Sequence, residues 1–180
     1  MSAIDPHILG PGLLPTPFTA HEIRNATGFG KTIRIRIDLP DGATSWRINR
    51  FTETDAEGAT LERWSLDDRS DASADRVTWV DLQRHAAFDA ATTTVSTESL
   101  SLPLGELECL RYDTADGAFW FSRAHPGMPV RYESDGVRTT VVEIIPDPVP
   151  PADPAPPAAP VRPADPAPPA DPMRSRRSGT

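Results

Sequence analysis

From Lys31 to Asp38 the chain alternates without a break, with Ile33, Ile35 and Ile37 on one side and Arg34, Arg36 and Asp38 on the other. Successive side chains of a strand point to opposite faces, so this period of two specifies a strand with one buried face and one wet face. Such a strand needs partners. The next residues supply them through Pro40-Asp41-Gly42, a turn, and Ser45 to Thr54, a returning strand read with Trp46 and Ile48 inward. Phe51 breaks that second alternation, which a bulge would accommodate. Glu57-Gly58 turns the chain again into a third strand over Ala59 to Leu66. Strands joined by short turns form an antiparallel meander.

A second strand group follows at Thr93 to Leu102, Glu106 to Asp113, Ala118 to Arg123, Val130 to Glu133 and Val137 to Ile145. Leu104-Gly105, Asp116-Gly117 and Asp135-Gly136 separate most of these runs, and Asp-Gly between β-rich segments is a strong hairpin signal. Each strand group is introduced by a capped helix. Thr19 and Glu22 stand at capping-box spacing, with Phe18 and Ile23 placed as a hydrophobic staple, which predicts a helix from about Ala20 to Ala26. Thr78 and Asp81 repeat the box before Trp79, Leu82 and Ala86, an apolar stripe that should end near Phe88. Asp67 to Asp75 is polar and aperiodic and reads as a loop. The expected fold is mainly β (α+β), a curved antiparallel sheet or half-barrel of about seven to eight strands with two short helices.

Composition divides the chain. Of the 21 prolines, 13 lie between Pro146 and Pro172, where alanine and aspartate supply most of the rest. PADPAPPA occurs at Pro151 to Ala158 and again at Pro163 to Ala170. Nothing in it can form a core, so 146–180 reads as a disordered tail, a semi-rigid polyproline II spacer of roughly 80 Å with a basic tip at Arg174, Arg176 and Arg177. Residues 1–145, with an irregular lead-in, carry all the tryptophan and have enough length to bury a core without disulfides. The formal charge of −8 resides there, since the acidic and basic residues of the tail balance. An acidic domain lacks the footprint for phosphate backbones, so no nucleic acid is expected to bind it. No run approaches the roughly 18 apolar residues of a transmembrane segment. The early apolar residues Ile8, Leu9, Leu13 and Leu14 are interrupted by Gly10, Pro11 and Gly12, unlike a secretory signal. Together with the lone Cys109, this reads as a soluble cytoplasmic protein.

Two regions carry a resemblance. PTPFTAHEIR (Pro15 to Arg24) followed by GKTIRIRID, and later Trp79 through HAAF (His85 to Phe88), SLPLGELECLRY (Ser101 to Tyr112) and FWFSRAHPGMPVRYE (Phe119 to Glu133), resemble small uncharacterised proteins of high-GC actinobacteria. The order of turns, aromatic strand and Pro-Gly-x-Pro-Val corner is also similar to curved-sheet proteins of the lipoprotein-carrier type. That likeness implies a half-barrel enclosing an apolar ligand.

The most constrained loop is His125-Pro126-Gly127-Met128-Pro129. Read functionally, it puts His125, Met128 and Trp120 at the rim of a ligand pocket, with Trp79 and His85 contributing from the second helix. Read structurally, it is a rigid corner, and His85 is a helix C-cap. No spacing supplies a histidine with a general-base partner, and the four histidines are too scattered for a metal, so no catalytic residue, metal or cofactor is assigned. Cys109, flanked by Glu106 and Glu108, reads as a buried core thiol. Arg34 and Arg36 read as a solvated face paired with carboxylates. Gly28 to Thr32 has the wrong glycine spacing for a phosphate loop and enters a strand. The preferred function is a non-catalytic binding domain for an apolar small molecule or a protein partner. The small-molecule version requires a cavity of about 300 Å³. The alternatives are an interaction protein working through its tail and, more weakly supported, a hydrolase.

Overall fold

The structure, a computed structural model, describes residues 5–146. The repeated PADPAPPA and the arginine tip lie outside the described residues. The elements run α1 (Ala20–Asn25), β1 (Thr32–Asp38), β2 (Thr44–Thr52), β3 (Gly58–Ser65), β4 (Ser73–Thr78), α2 (Trp79–Arg84), β5 (Thr94–Leu102), β6 (Gly105–Thr114), β7 (Gly117–Ser122), β8 (Arg131–Ser134) and β9 (Val137–Ile145). Among the described residues the strands make one open antiparallel sheet in the order β4-β3-β2-β1-β9-β8-β7-β6-β5. The mainly β reading with two short helices holds. The strand count reaches nine because Ser73–Thr78, read partly as loop, pairs with β3 as an edge.

Local chemistry explains the helices. The Thr19 hydroxyl accepts from the Glu22 amide and the Glu22 carboxylate accepts from the Thr19 amide, a complete capping box. Thr78 caps α2 by accepting from the Asp81 amide, but the Asp81 carboxylate accepts from the Thr78 hydroxyl and not from its amide, so the second box is only half formed. His85 is the C-cap, and the regular helix ends at Arg84, short of Phe88. The closing hairpin turn places Asp135 at φ 52° and Gly136 at φ 76°, the paired positive values of a type I′ turn.

Pairing decides which residues face inward. The β1–β2 register is unbroken from Thr32 opposite Arg50 to Asp38 opposite Thr44. Residues directly opposite share a face, so Asn49, Arg47 and Ser45 join the isoleucines, and Phe51 continues that row. The expectation for β2 is therefore corrected: Trp46 and Ile48 lie on the outer face and no bulge occurs there. The Arg34 guanidinium stacks 4.9 Å from the Trp46 ring, which lets an aromatic side chain face outward. The irregularity lies instead in the β1–β9 register, between Arg34 and Ile35. Arg34 and Arg36 do face away from the core, toward Glu143 and Asp38.

The core joins the inner sheet face to the helices. Ile33, Ile35, Phe51, Leu61, Tyr112, Phe121 and Val141 pack with Phe18, Ile23, Trp79 and Ala86. Its aromatic part centres on Phe121, edge-on to Tyr112 with centroids 5.6 Å apart and to Phe18 at 6.3 Å. A buried amide ties the helices together: Gln83 accepts from the Ala20 amide (2.8 Å) and donates to Pro6 O and Thr16 Oγ1 (both 2.9 Å).

Candidate functional site

Leu61 on β3 and Phe121 on β7 line the same cavity. In a flat sheet these strands, five steps apart, would be about 24 Å from each other at ~4.8 Å per step. The sheet therefore curls, and its inner face meets the helices around a cavity of about 250 Å³. Ile33, Phe51, Phe119, Tyr132 and Val141 line it from the sheet, and Ile23, Leu82, His85 and Ala86 line it from the helical side. The loop from His125 to Pro129 completes the wall. Bonds from the His125 amide to Ser122 O (3.0 Å) and the Val130 amide to Trp120 O (2.8 Å) anchor this loop at both ends. Between them Gly127 takes φ 130°, which a side chain rarely adopts.

The volume sits slightly below the usual range for small-molecule sites, which starts at about 300 Å³. An apolar cavity of ~150 Å³ already holds a benzene, so this one suits a single ring or a short alkyl chain. Most of its lining is apolar. The polar exceptions are chiefly basic: Lys31, Arg63, His85 and His125, with Thr27 and Tyr132 and without a single carboxylate among the described lining residues.

Of the five residues singled out from the sequence, His85, His125 and Met128 line the cavity. Trp79 is buried in the core beside it and donates from Nε1 to Asp55 O at 3.1 Å. Trp120 is on the opposite face of the sheet, in register with Arg111 and Arg131. Their guanidinium groups lie 4.9 and 5.2 Å from its ring, and its Nε1 donates to Glu98 at 2.9 Å. A second apolar cluster of Leu100, Leu107, Cys109 and Val130 surrounds it. Burial pushes the Cys109 thiol above its ordinary value, with Glu98 and Glu108 adding to the effect.

Lys31 and Arg63 were not anticipated. Period two from Ile33 places position 31 on the isoleucine face, which is the signal that would have found Lys31. Its residue is only 8% exposed, and its Nζ donates to Ala26 O at 2.8 Å, just past the end of α1. Burial lowers its amine below the ordinary lysine range. His125 is lowered too, first by its own burial and then by the Lys31 charge. Arg63 pairs with Asp75 at 3.4 Å. Among the described residues neither cavity histidine makes a side-chain hydrogen bond or ion pair, no cluster of three or more His, Cys, Asp or Glu could hold a metal, and no helix is long and apolar enough to cross a membrane.

These features define a class of protein, an open, curled antiparallel sheet folded over two short helices around a small apolar cavity. Among solved structures, the crystal structure of MucB resembles it with a TM-score of 0.50 and 10% identity, over 74% of this chain and 59% of that one. The MucA/MucB complex of Pseudomonas aeruginosa matches with a TM-score of 0.47 and 12% identity, over 74% and 57%. The chain thus spans less than two thirds of the MucB length, and the first likeness concerns the fold alone. No family model matches the chain, and no curated protein matches it.

Proposed function

We propose that residues 1–145 form a non-catalytic binding domain that takes up a small apolar molecule between the inner sheet face and the helices. The observation that carries this reading is the cavity of about 250 Å³, lined mostly by aliphatic and aromatic side chains and walled by a proline-anchored loop. Burying methylene groups there contributes about 0.8 kcal/mol each, which for a chain of about six carbons sums to about 5 kcal/mol and gives affinities around the millimolar range.

Hexanol titrated into protein with 13C-methyl methionine tests the proposal. Met128 lines the cavity, and the other two methionines are Met1 and Met173. A saturable shift confined to the Met128 methyl, removed by the filling substitution Ala86→Leu, is the expected result. No shift up to the solubility limit, or equal drift of all three methyls, would refute it.

A further inference from the structure

Lys31 is the single lysine of the chain, set against seventeen arginines. Lys31 lines the apolar cavity and also borders a shallower neighbouring pocket beside Ala26 and His125, and its ammonium has one hydrogen-bond partner, Ala26 O, for its three donors. Among the described residues no carboxylate lies within 4 Å of it, although nine arginine–carboxylate pairs are formed. The other lining cation, Arg63, already has Asp75 as counter-ion. A buried charge is costly unless paired and hydrogen-bonded, so the wall holds an unmet demand for one negative charge.

We propose that the cavity selects an apolar molecule bearing a single carboxylate, which Lys31 receives while the alkyl or aryl part occupies the space beside Phe51, Phe121 and Met128. This rests on the binding role proposed above and names the chemical class of the ligand. A carboxylate fits better than a phosphate monoester because one uncompensated cation matches one negative charge, whereas the phosphate carries about −1.5 to −2. His125, held toward its neutral form, adds a hydrogen bond without a second charge. The cavity volume accommodates a chain of about six carbons by comparison with the ~150 Å³ that holds a benzene.

Hexanoate, hexanol and hexylamine, titrated separately into the full chain, share a tail and differ in head group. Hexanoate should bind at least about tenfold tighter than hexanol, as a charge-assisted hydrogen bond requires, and hexylamine should not bind. With 13C-labelled lysine the protein shows one ε-methylene signal, whose titration midpoint should rise with hexanoate and stay put with hexanol. In Lys31→Met the ratio of hexanoate to hexanol affinity should fall to about one, whatever the absolute affinity for hexanol, and a ratio still near about tenfold would overturn the assignment. Equal binding of hexanoate and hexanol would overturn the carboxylate assignment and leave the cavity role standing, while binding of neither would overturn both. If Lys31→Met does not fold, the unsubstituted protein still decides through the hexanoate–hexanol pair and the lysine titration.

Discussion

The Gln83 side chain should carry much of the stability of the helical layer, and Gln83→Leu tests this. Leucine fills a similar volume and removes three hydrogen bonds, to the Ala20 amide, Pro6 O and Thr16 Oγ1. The losses are unequal. Pro6 is exposed, so its carbonyl returns to water. Thr16 Oγ1 keeps its contacts with His7 O and Phe18 O. The Ala20 amide, in the first turn of α1, loses its partner and meets the new apolar group. Three bonds at roughly 1 kcal/mol net would sum to ~3 kcal/mol, and the apolar gain from leucine reduces this to about 2 kcal/mol. For a domain of this size that lowers Tm by about 7 °C. Urea unfolding should show a lower midpoint at unchanged m. A loss below about 0.5 kcal/mol would refute the reasoning, showing that apolar contact alone holds the helices on the sheet.

Three further outcomes are expected. The Glu22 carboxyl is held below its ordinary value chiefly by the Thr19 amide, so its stabilisation is present above the unfolded pKa and lost as pH falls through the lowered folded one. Urea midpoints at pH 7 and pH 3 should differ more for the native protein than for Glu22→Gln, by under ~1 kcal/mol because the side chain is half exposed. Thr139 Oγ1 is buried without a partner. Thr139→Val should therefore be neutral or stabilising by up to about 1 kcal/mol in thermal unfolding, and a larger loss would reveal a hidden hydrogen bond. Cys109 is 1% exposed and its thiol is raised, so a chromogenic disulfide reagent should titrate one thiol in denaturant and essentially none, over minutes, in the folded protein.

Turns and caps were legible because their chemistry is local. Thr19 with Glu22, Thr78 with Asp81, and Asp135-Gly136 each satisfy their own backbone within a few residues. The misread positions are those where a partner strand decides. Trp46 looked inward because it is aromatic, yet register with Arg36 puts it outside, and Arg34 shields its ring. Trp120 lies outside for the same reason, between Arg111 and Arg131. β4 was read partly as loop because an exposed edge strand needs no apolar face: Ser73 to Arg76 are all exposed. Half of the candidate site was visible in the constrained loop and the end of α2. Lys31 was not: period two puts it on the isoleucine face, but a charge opening a strand reads as solvated unless that signal is weighed together with the curl of the sheet.

The strand order has a consequence for assembly from pieces. β1 to β4 and β5 to β9 are two meanders of neighbours in sequence, and among the described residues only β1 against β9 joins strands distant along the chain. Cleavage in the connection after α2, between Phe88 and Thr93, would give one fragment for each arm, matched in the sheet along one seven-residue seam and in the core where Phe18 and the helices meet Tyr112 and Phe121. The cavity straddles that seam, with Lys31 and Ile33 contributed by one fragment and Val141 and Ile144 by the other. A molecule that fills the cavity binds only the joined form, so by mass action it would draw the two fragments together. The fold thus has the layout of a split reporter for whatever its cavity holds.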